Sequence, residues 1–249
     1  MVATIKIIFL LSFLIIIHEL GHYIVAKICK IKVNQFSVGF GPVLWSKKGK
    51  ETEYELRLIP LGGFVSLEGE EGHSEEESSF NKASIPKRIA VIIAGALVNI
   101  AFGIIAYFIL ISIKYKIVIG GTFLSTIQYG LSSTGELIQT MFSGIADLCM
   151  GKLNLNDMTG PVGISAMVSK TNGITEFIYL LSIISISLGI TNLLPVIPLD
   201  GGKVVLLLIE AIRKKPLKQE IEAKIQSFGF IILIIFSIIV TCNDIVKII

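Results

Sequence analysis

His18, Glu19 and His22 stand in the run His18-Glu19-Leu20-Gly21-His22, the pattern H-E-x-x-H. On a helix, positions four apart share a face. The two imidazoles can therefore each turn one nitrogen to a common ion. Glu19, beside the first of them, can reach a water at that ion. Two His ligands, a carboxylate base, a third ligand from elsewhere and one open position make a zinc hydrolase site. Residues 7–17, which lead into the motif, are apolar except for Ser12. Ionisable groups are costly inside such a segment and are kept there for function. That cost argues against a chance H-E-x-x-H.

The third ligand must be His, Asp or Glu at the same depth, so the membrane topology decides where to look. The chain is 53% hydrophobic and 16% charged, with a mean hydropathy of +0.79. Soluble domains carry about a quarter charged residues; this composition is that of an integral membrane protein. Four runs reach the roughly 20 residues a bilayer requires: residues 4–25, 89–113, 175–195 and 227–249, the last interrupted only near Asn243-Asp244. The apolar N-terminus resembles a signal peptide but has no small-x-small cleavage site, and its removal would cut away the motif. It is read as a retained span.

Sixteen Lys and Arg residues lie in the loops between spans one and two and between spans three and four, against four in the loop between spans two and three. The positive-inside rule then places the first and third loops in the cytoplasm and both termini outside, in the cytoplasmic membrane. The net charge of +3 comes without a basic tract interleaved with aromatics, so no nucleic-acid partner is expected. Cys29, Cys149 and Cys242 have no C-x-x-C spacing, so neither a disulfide framework nor a cysteine zinc site is expected.

Spans one and three both run from outside to inside. The first brings His18 and His22 to the cytoplasmic half. The third ends in Asn192-Leu193-Leu194-Pro195-Val196-Ile197-Pro198-Leu199-Asp200-Gly201-Gly202, so Asp200 arrives near the same depth. Pro195 and Pro198 break the helix, and broken backbone at membrane depth is tolerated where it lines a cavity. Asp200 is the candidate third ligand; the bland alternative is a turn residue of an Asp-Gly pair. Asp147, Asp157 and Asp244 fall on the outer side, and Glu51, Glu53 and Glu55 fall on expected strands. His73 sits in the acidic stretch 68–79, which reads as a solvated loop.

Between the first two spans, residues 33–45 and 54–67 alternate apolar residues with Gly and Pro. They predict short strands and a hairpin about Lys48-Gly49-Lys50, at the membrane surface or at membrane depth. The outer loop, 120–173, predicts a helix over 125–150, either at the interface or packed on the spans, and a turn at residues 160–163. The fold class is an all-α polytopic membrane protein, one domain over 1–249, with four transmembrane helices and a small membrane-associated β-loop or hairpin after the first.

Several motifs carry a family resemblance. They are H-E-L-G-H at 18–22, F-S-V-G-F-G-P at 36–42, E-Y-E-L-R-L-I-P-L-G-G-F-V at 53–65, K-R-I-A-V-I-I-A-G-A-L-V-N at 87–99, G-P-V-G-I at 160–164 and N-L-L-P-V-I-P-L-D-G-G at 192–202. The chain resembles the site-2 protease family of intramembrane zinc metalloproteases, peptidase family M50, and most closely the bacterial branch that includes the regulator of sigma-E protease. The resemblance implies that His18, His22 and Asp200 bind Zn2+ and that Glu19 is the base. It implies that Asn192 helps hold the substrate or its oxyanion, and that Gly39, Phe40 and Gly41 belong to a membrane-embedded β-loop near the site. It implies single-pass transmembrane proteins as substrates, such as anti-sigma factors or signal-peptide remnants.

Two departures stand out. The family's A-G-P-x-x-N is here Ala94-Gly95-Ala96-Leu97-Val98-Asn99; the missing proline bears on a local bend and not on the chemistry. Relatives carry one or two PDZ domains between spans two and three, and this outer loop is too short to hold one. The expected activity is endoproteolysis of a transmembrane segment that unwinds and adds as a strand along residues 36–41. The alternatives are a zinc-binding membrane scaffold without catalysis, against which Glu19 argues, and a secondary transporter, which calls for repeats and spans this sequence lacks.

Overall fold

The computed structural model describes residues 2–70, 72, 74–152 and 158–248. In chain order the elements are α1 (Val2–Ile28), β1 (Val33–Lys48), β2 (Glu53–Leu67), α2 (Ile85–Ile119), α3 (Phe123–Cys149), α4 (Pro161–Ser169), α5 (Ile174–Asn192), α6 (Asp200–Arg213) and α7 (Gln219–Ile248). Four of them, α1, α2, α5 and α7, are long and apolar enough to cross a membrane. The protein is a multi-pass membrane protein, mostly helical, with a small antiparallel sheet after the first helix.

The helices overrun their apolar stretches, because backbone hydrogen bonding does not stop where hydropathy does. α2 runs from Ile85 to Ile119 as one helix without a break at Ala96, where the family's proline is missing. α7 continues through Asn243-Asp244 to Ile248 rather than being interrupted there. α5 stops earlier than its apolar run, at Asn192. Pro195 explains this: it disfavours helical backbone in the residue before it and has no N–H to continue the ladder.

The described chain divides into two compact units. The first comprises Met1–Asn99 and Leu188–Ile232. Its buried core gathers Ala26, Val33, Leu67, Phe80, Val91 and Leu207, drawn from α1, the sheet, the 3-10 turn Phe80–Lys82, α2 and α6. In the sheet, β1 bends at Gly39 and Gly41, whose φ of +91° and +83° suit glycine. Residues 33–38 of β1 pair with residues 63–67 of β2 along one edge, while residues 35–38 also lie beside residues 53–56. The far end of β1 closes on β2 at Lys48 and Glu53, with the Gly49 N–H donating to the Thr52 carbonyl at 2.8 Å, the hairpin turn expected there. Around the bend, Phe40, Val43, Leu44, Trp45, Leu58 and Ile59 are exposed. An apolar surface of that kind is at home in lipid.

The second unit comprises Ile100–Ser187 and Leu233–Ile249. Here α3 packs on α2 through stacked Tyr115 and Tyr129 rings 4.4 Å apart, which favours the packed alternative for part of its length. Residues 160–163 start a helix instead of making a turn. Gly160 is the N-cap of α4 and Pro161 its first residue. The buried Asp244 carboxylate accepts the N–H groups of Gly160 at 2.9 Å and Gly163 at 2.8 Å, supplying the cap acceptor that the helix's own sequence lacks.

Candidate metal centre

α1 presents His18, Glu19 and His22 in its C-terminal half, and α6 begins with Asp200. All four lie in the first unit. The Nε2 atoms of His18 and His22 are 3.1 Å apart. Asp200 Oδ2 lies 3.1 Å from Nε2 of His18 and 3.5 Å from Nε2 of His22. Ligand atoms about 2.0–2.1 Å from one tetrahedral zinc sit about 3.3–3.4 Å from one another, so the triangle has the size a single ion needs. His22 Nδ1–H donates to the Val91 carbonyl at 2.8 Å. That bond fixes the tautomer and leaves the Nε2 lone pair turned to the triangle, the usual outer contact of a metal-bound His. With His18 bound through Nε2 as well, all three atoms turn lone pairs to one point, where a cation relieves their mutual repulsion. The donor set therefore fits zinc.

Asp200 stands outside the spanning helices. Burial alone would raise its pKa, but the two imidazoles that face it hold the carboxyl well below the usual range. It is the anionic form that a metal requires.

Close backbone approach builds the site. A Cβ on Gly21 would meet the Ala94 carbonyl oxygen at 2.6 Å, so α1 and α2 touch backbone to backbone there. After α5 ends, residues 193–199 fold back on the start of α6: a Cβ on Gly201 would collide with the carbonyl oxygens of Leu193 and Leu194. From α7, Gly229 lies against Ile197 in the same way. Sequence reasoning did not single out Gly229; its one signal was a glycine between Phe228 and Phe230 in an otherwise bulky span.

A cavity of about 580 Å³ opens from the site, lined by His18, Glu19, His22 and Asp200, by residues 64–67 of the sheet, and by Lys203 among others. Asn192, the last residue of α5, is not among the lining residues. Gly39, Phe40 and Gly41 form the bend of β1, where Phe40 pairs with Ile59 and its ring covers Gly62. Residues 36–38 offer no free edge, since Phe36 pairs with Val65 on one side and Tyr54 on the other. The edge that faces the cavity belongs to residues 63–67, against which no further strand is paired among the described residues. Gly63 packs on Glu19, with 3.5 Å between its Cβ position and Glu19 Cγ. Glu51 and Glu55 are engaged elsewhere, with Lys27 and Arg57. His73 and Asp157 lie outside the described residues.

A model of peptidase family M50 matches residues 6–236. A protein of Clostridium acetobutylicum named "Putative zinc metalloprotease" is 27% identical over 319 positions that cover 94% of each chain. Proteins of the same name from Fusobacterium nucleatum and Helicobacter pylori are similar too. The first is 26% identical over 96% of this chain and 97% of its own. The second is 37% identical over 55% of this chain and 42% of its own. An alignment of 319 positions exceeds the 249 residues present here, so the clostridial relative carries segments that this chain lacks.

Proposed function

This chain belongs to peptidase family M50, and we propose that it is a zinc endopeptidase cleaving peptide bonds in or beside the transmembrane segments of single-pass proteins. The observation that carries the reading is the His18, His22 and Asp200 triangle beside Glu19, in a cavity among membrane-spanning helices. His18, His22 and Asp200 would hold zinc, which would supply Lewis acidity to a scissile carbonyl and to a water. Glu19 accepts the proton of the attacking water and delivers it to the leaving amine. His22, oriented by the Val91 carbonyl, would offer its Nε2 lone pair to the ion.

A helical substrate hides its carbonyls in internal hydrogen bonds and must unwind before it can react. Unwound backbone in lipid needs new partners. The edge of residues 63–67 supplies them by strand addition, beside Glu19 rather than at residues 36–41. Residues 39–41 act from the bend, where Phe40 backs Gly62, and Asn192 acts at the end of α5. In this reading the chain is one protease domain in the cytoplasmic membrane, with both termini outside and the site toward the cytoplasm. Its substrates are transmembrane proteins such as anti-sigma factors or signal-peptide remnants, cleaved in regulated intramembrane proteolysis.

Glu19→Gln tests the mechanism. Gln keeps the volume and is not a ligand, so the purified variant retains zinc by metal analysis. Its cleavage of a transmembrane substrate in detergent falls about 10²–10⁴-fold, the usual contribution of a general base. Turnover comparable to wild type would remove Glu19 from the reaction.

A further inference from the structure

Lys203 and Glu70 line the same cavity as the candidate ligands and have no part in the chemistry above. The Lys203 ammonium lies 3.0 Å from Glu70 Oε1. Lys203 follows Asp200 by three positions on α6, which puts both on one helix face. Glu70 follows Leu67, the last residue of β2, by three. The pair therefore joins the helix of Asp200 to the end of the strand whose residues 64–67 line the cavity.

The two sides of this bridge are anchored to different things. The sheet rests on α1, with Gly63 against Glu19 and Ile15. The turn after β2 is tied to the sheet side: Glu68 N–H donates to the Lys32 carbonyl at 3.0 Å, and Phe80 N–H donates to the Glu68 carbonyl at 2.7 Å. The Asn34 amide donates to the Glu68 carboxylate at 2.8 Å. α1 thus carries two of the three candidate ligands, the base and the strand edge, whereas α6 carries the third ligand. Leu67 of β2 and Leu207 of α6 share the buried core, and the Lys203–Glu70 pair adds a polar link between the residues just after β2 and the first turn of α6.

We propose that Lys203 and Glu70 are a positioning pair that sets the gap between the edge of residues 63–67 and the helix of Asp200, and so the register in which an extended substrate lies against the metal centre. The assignment rests on the strand-addition reading. Burial lowers the Lys203 pKa, but the facing Glu70 carboxylate raises it further, and the net shift is upward. The ammonium is therefore charged throughout the physiological range. Its side chain is 36% exposed, so the pair is partly solvated and its effect is modest.

The test uses the full chain in detergent and two zinc-directed ligands: a peptidyl hydroxamate, whose backbone can add to the edge, and acetohydroxamic acid, which cannot. Lys203→Met and Glu70→Gln should each weaken the peptidyl hydroxamate about fivefold while leaving zinc content and acetohydroxamic acid affinity unchanged. Spin labels at Ser66 and Leu208, with the native cysteines replaced, read the gap directly in metal-free protein. Each single variant should broaden that distance distribution. The charge swap, Lys203→Glu with Glu70→Lys, should restore both readouts. An unchanged distance, unchanged peptidyl hydroxamate affinity, or equal losses for the two ligands would overturn the pair's role. If wild-type protein gains nothing from the peptide portion, the docking edge itself fails, and this assignment with it.

Discussion

A Cβ on Gly95 would lie 2.5 Å from Nε2 of His22 and 2.8 Å from the carbonyl oxygen of His18. The absence of a side chain on α2 is thus what lets two candidate ligands on α1 sit where they do. Gly95→Ala should push the helices apart and tilt the His22 ring away from Val91. Zinc affinity is expected to fall about ten- to a hundredfold, as when an outer contact of a ligand is lost. Competition against a metal indicator measures it, and wild-type affinity would show that α2 can yield without disturbing His22.

Asp200→Ala should lose metal together with activity, because it removes one of three protein ligands. Asp200 Oδ2 is within 3.5 Å of both imidazole Nε2 atoms. Metal analysis after dialysis against trace zinc is the check. Unchanged stoichiometry would send the search to His73 and Glu53, since Glu51 and Glu55 are already paired.

Proline scanning separates the two edges of the sheet. Successive N–H groups on a strand point to opposite sides, so of Val65→Pro and Ser66→Pro one breaks the ladder to β1 and the other removes an outward N–H. The variant that keeps its thermal transition and its zinc should cleave a transmembrane substrate about fivefold more slowly, the effect of one lost hydrogen bond. Full activity in that variant would exclude residues 63–67 as the docking edge.

Much of the architecture was legible because lipid imposes length and composition on every span. The four runs, the hairpin at Gly49 and the helix α3 in the outer loop follow from local sequence. The juxtaposition of Asp200 with His18 and His22 followed from counting spans. The rest depends on partners far apart in the chain. Nothing near residue 36 says that Tyr54 and Val65 will both flank it. Nothing near residue 160 says that Asp244 will cap it and turn an expected bend into a helix start. The Gly229 contact with Ile197 and the Lys203 pair with Glu70 are likewise tertiary, and neither changes the hydropathy pattern that a sequence reading relies on.

The remaining prediction concerns sidedness, on which the cytoplasmic placement of the centre rests. Cysteines are placed at Lys50, in the polar hairpin turn, and at Lys215, after α6, with the native Cys29, Cys149 and Cys242 replaced. Both should react only with membrane-permeant thiol reagents in intact cells. A cysteine at Lys152, after α3, should react with an impermeant reagent added outside. The physical basis is the distribution of Lys and Arg, sixteen in the loops holding residues 50 and 215 against four in the loop holding residue 152. In this topology α1 and α5 would cross in the same direction, and His18, His22 and Asp200 would come to one depth from the cytoplasmic side. Labelling of residue 50 from outside with residue 152 protected would invert the molecule and move the centre to the outer leaflet intact. Residues 50 and 215 on opposite sides would be more damaging. One of the four helices would then fail to cross, and the two histidines and Asp200 could not approach from the same face of the membrane.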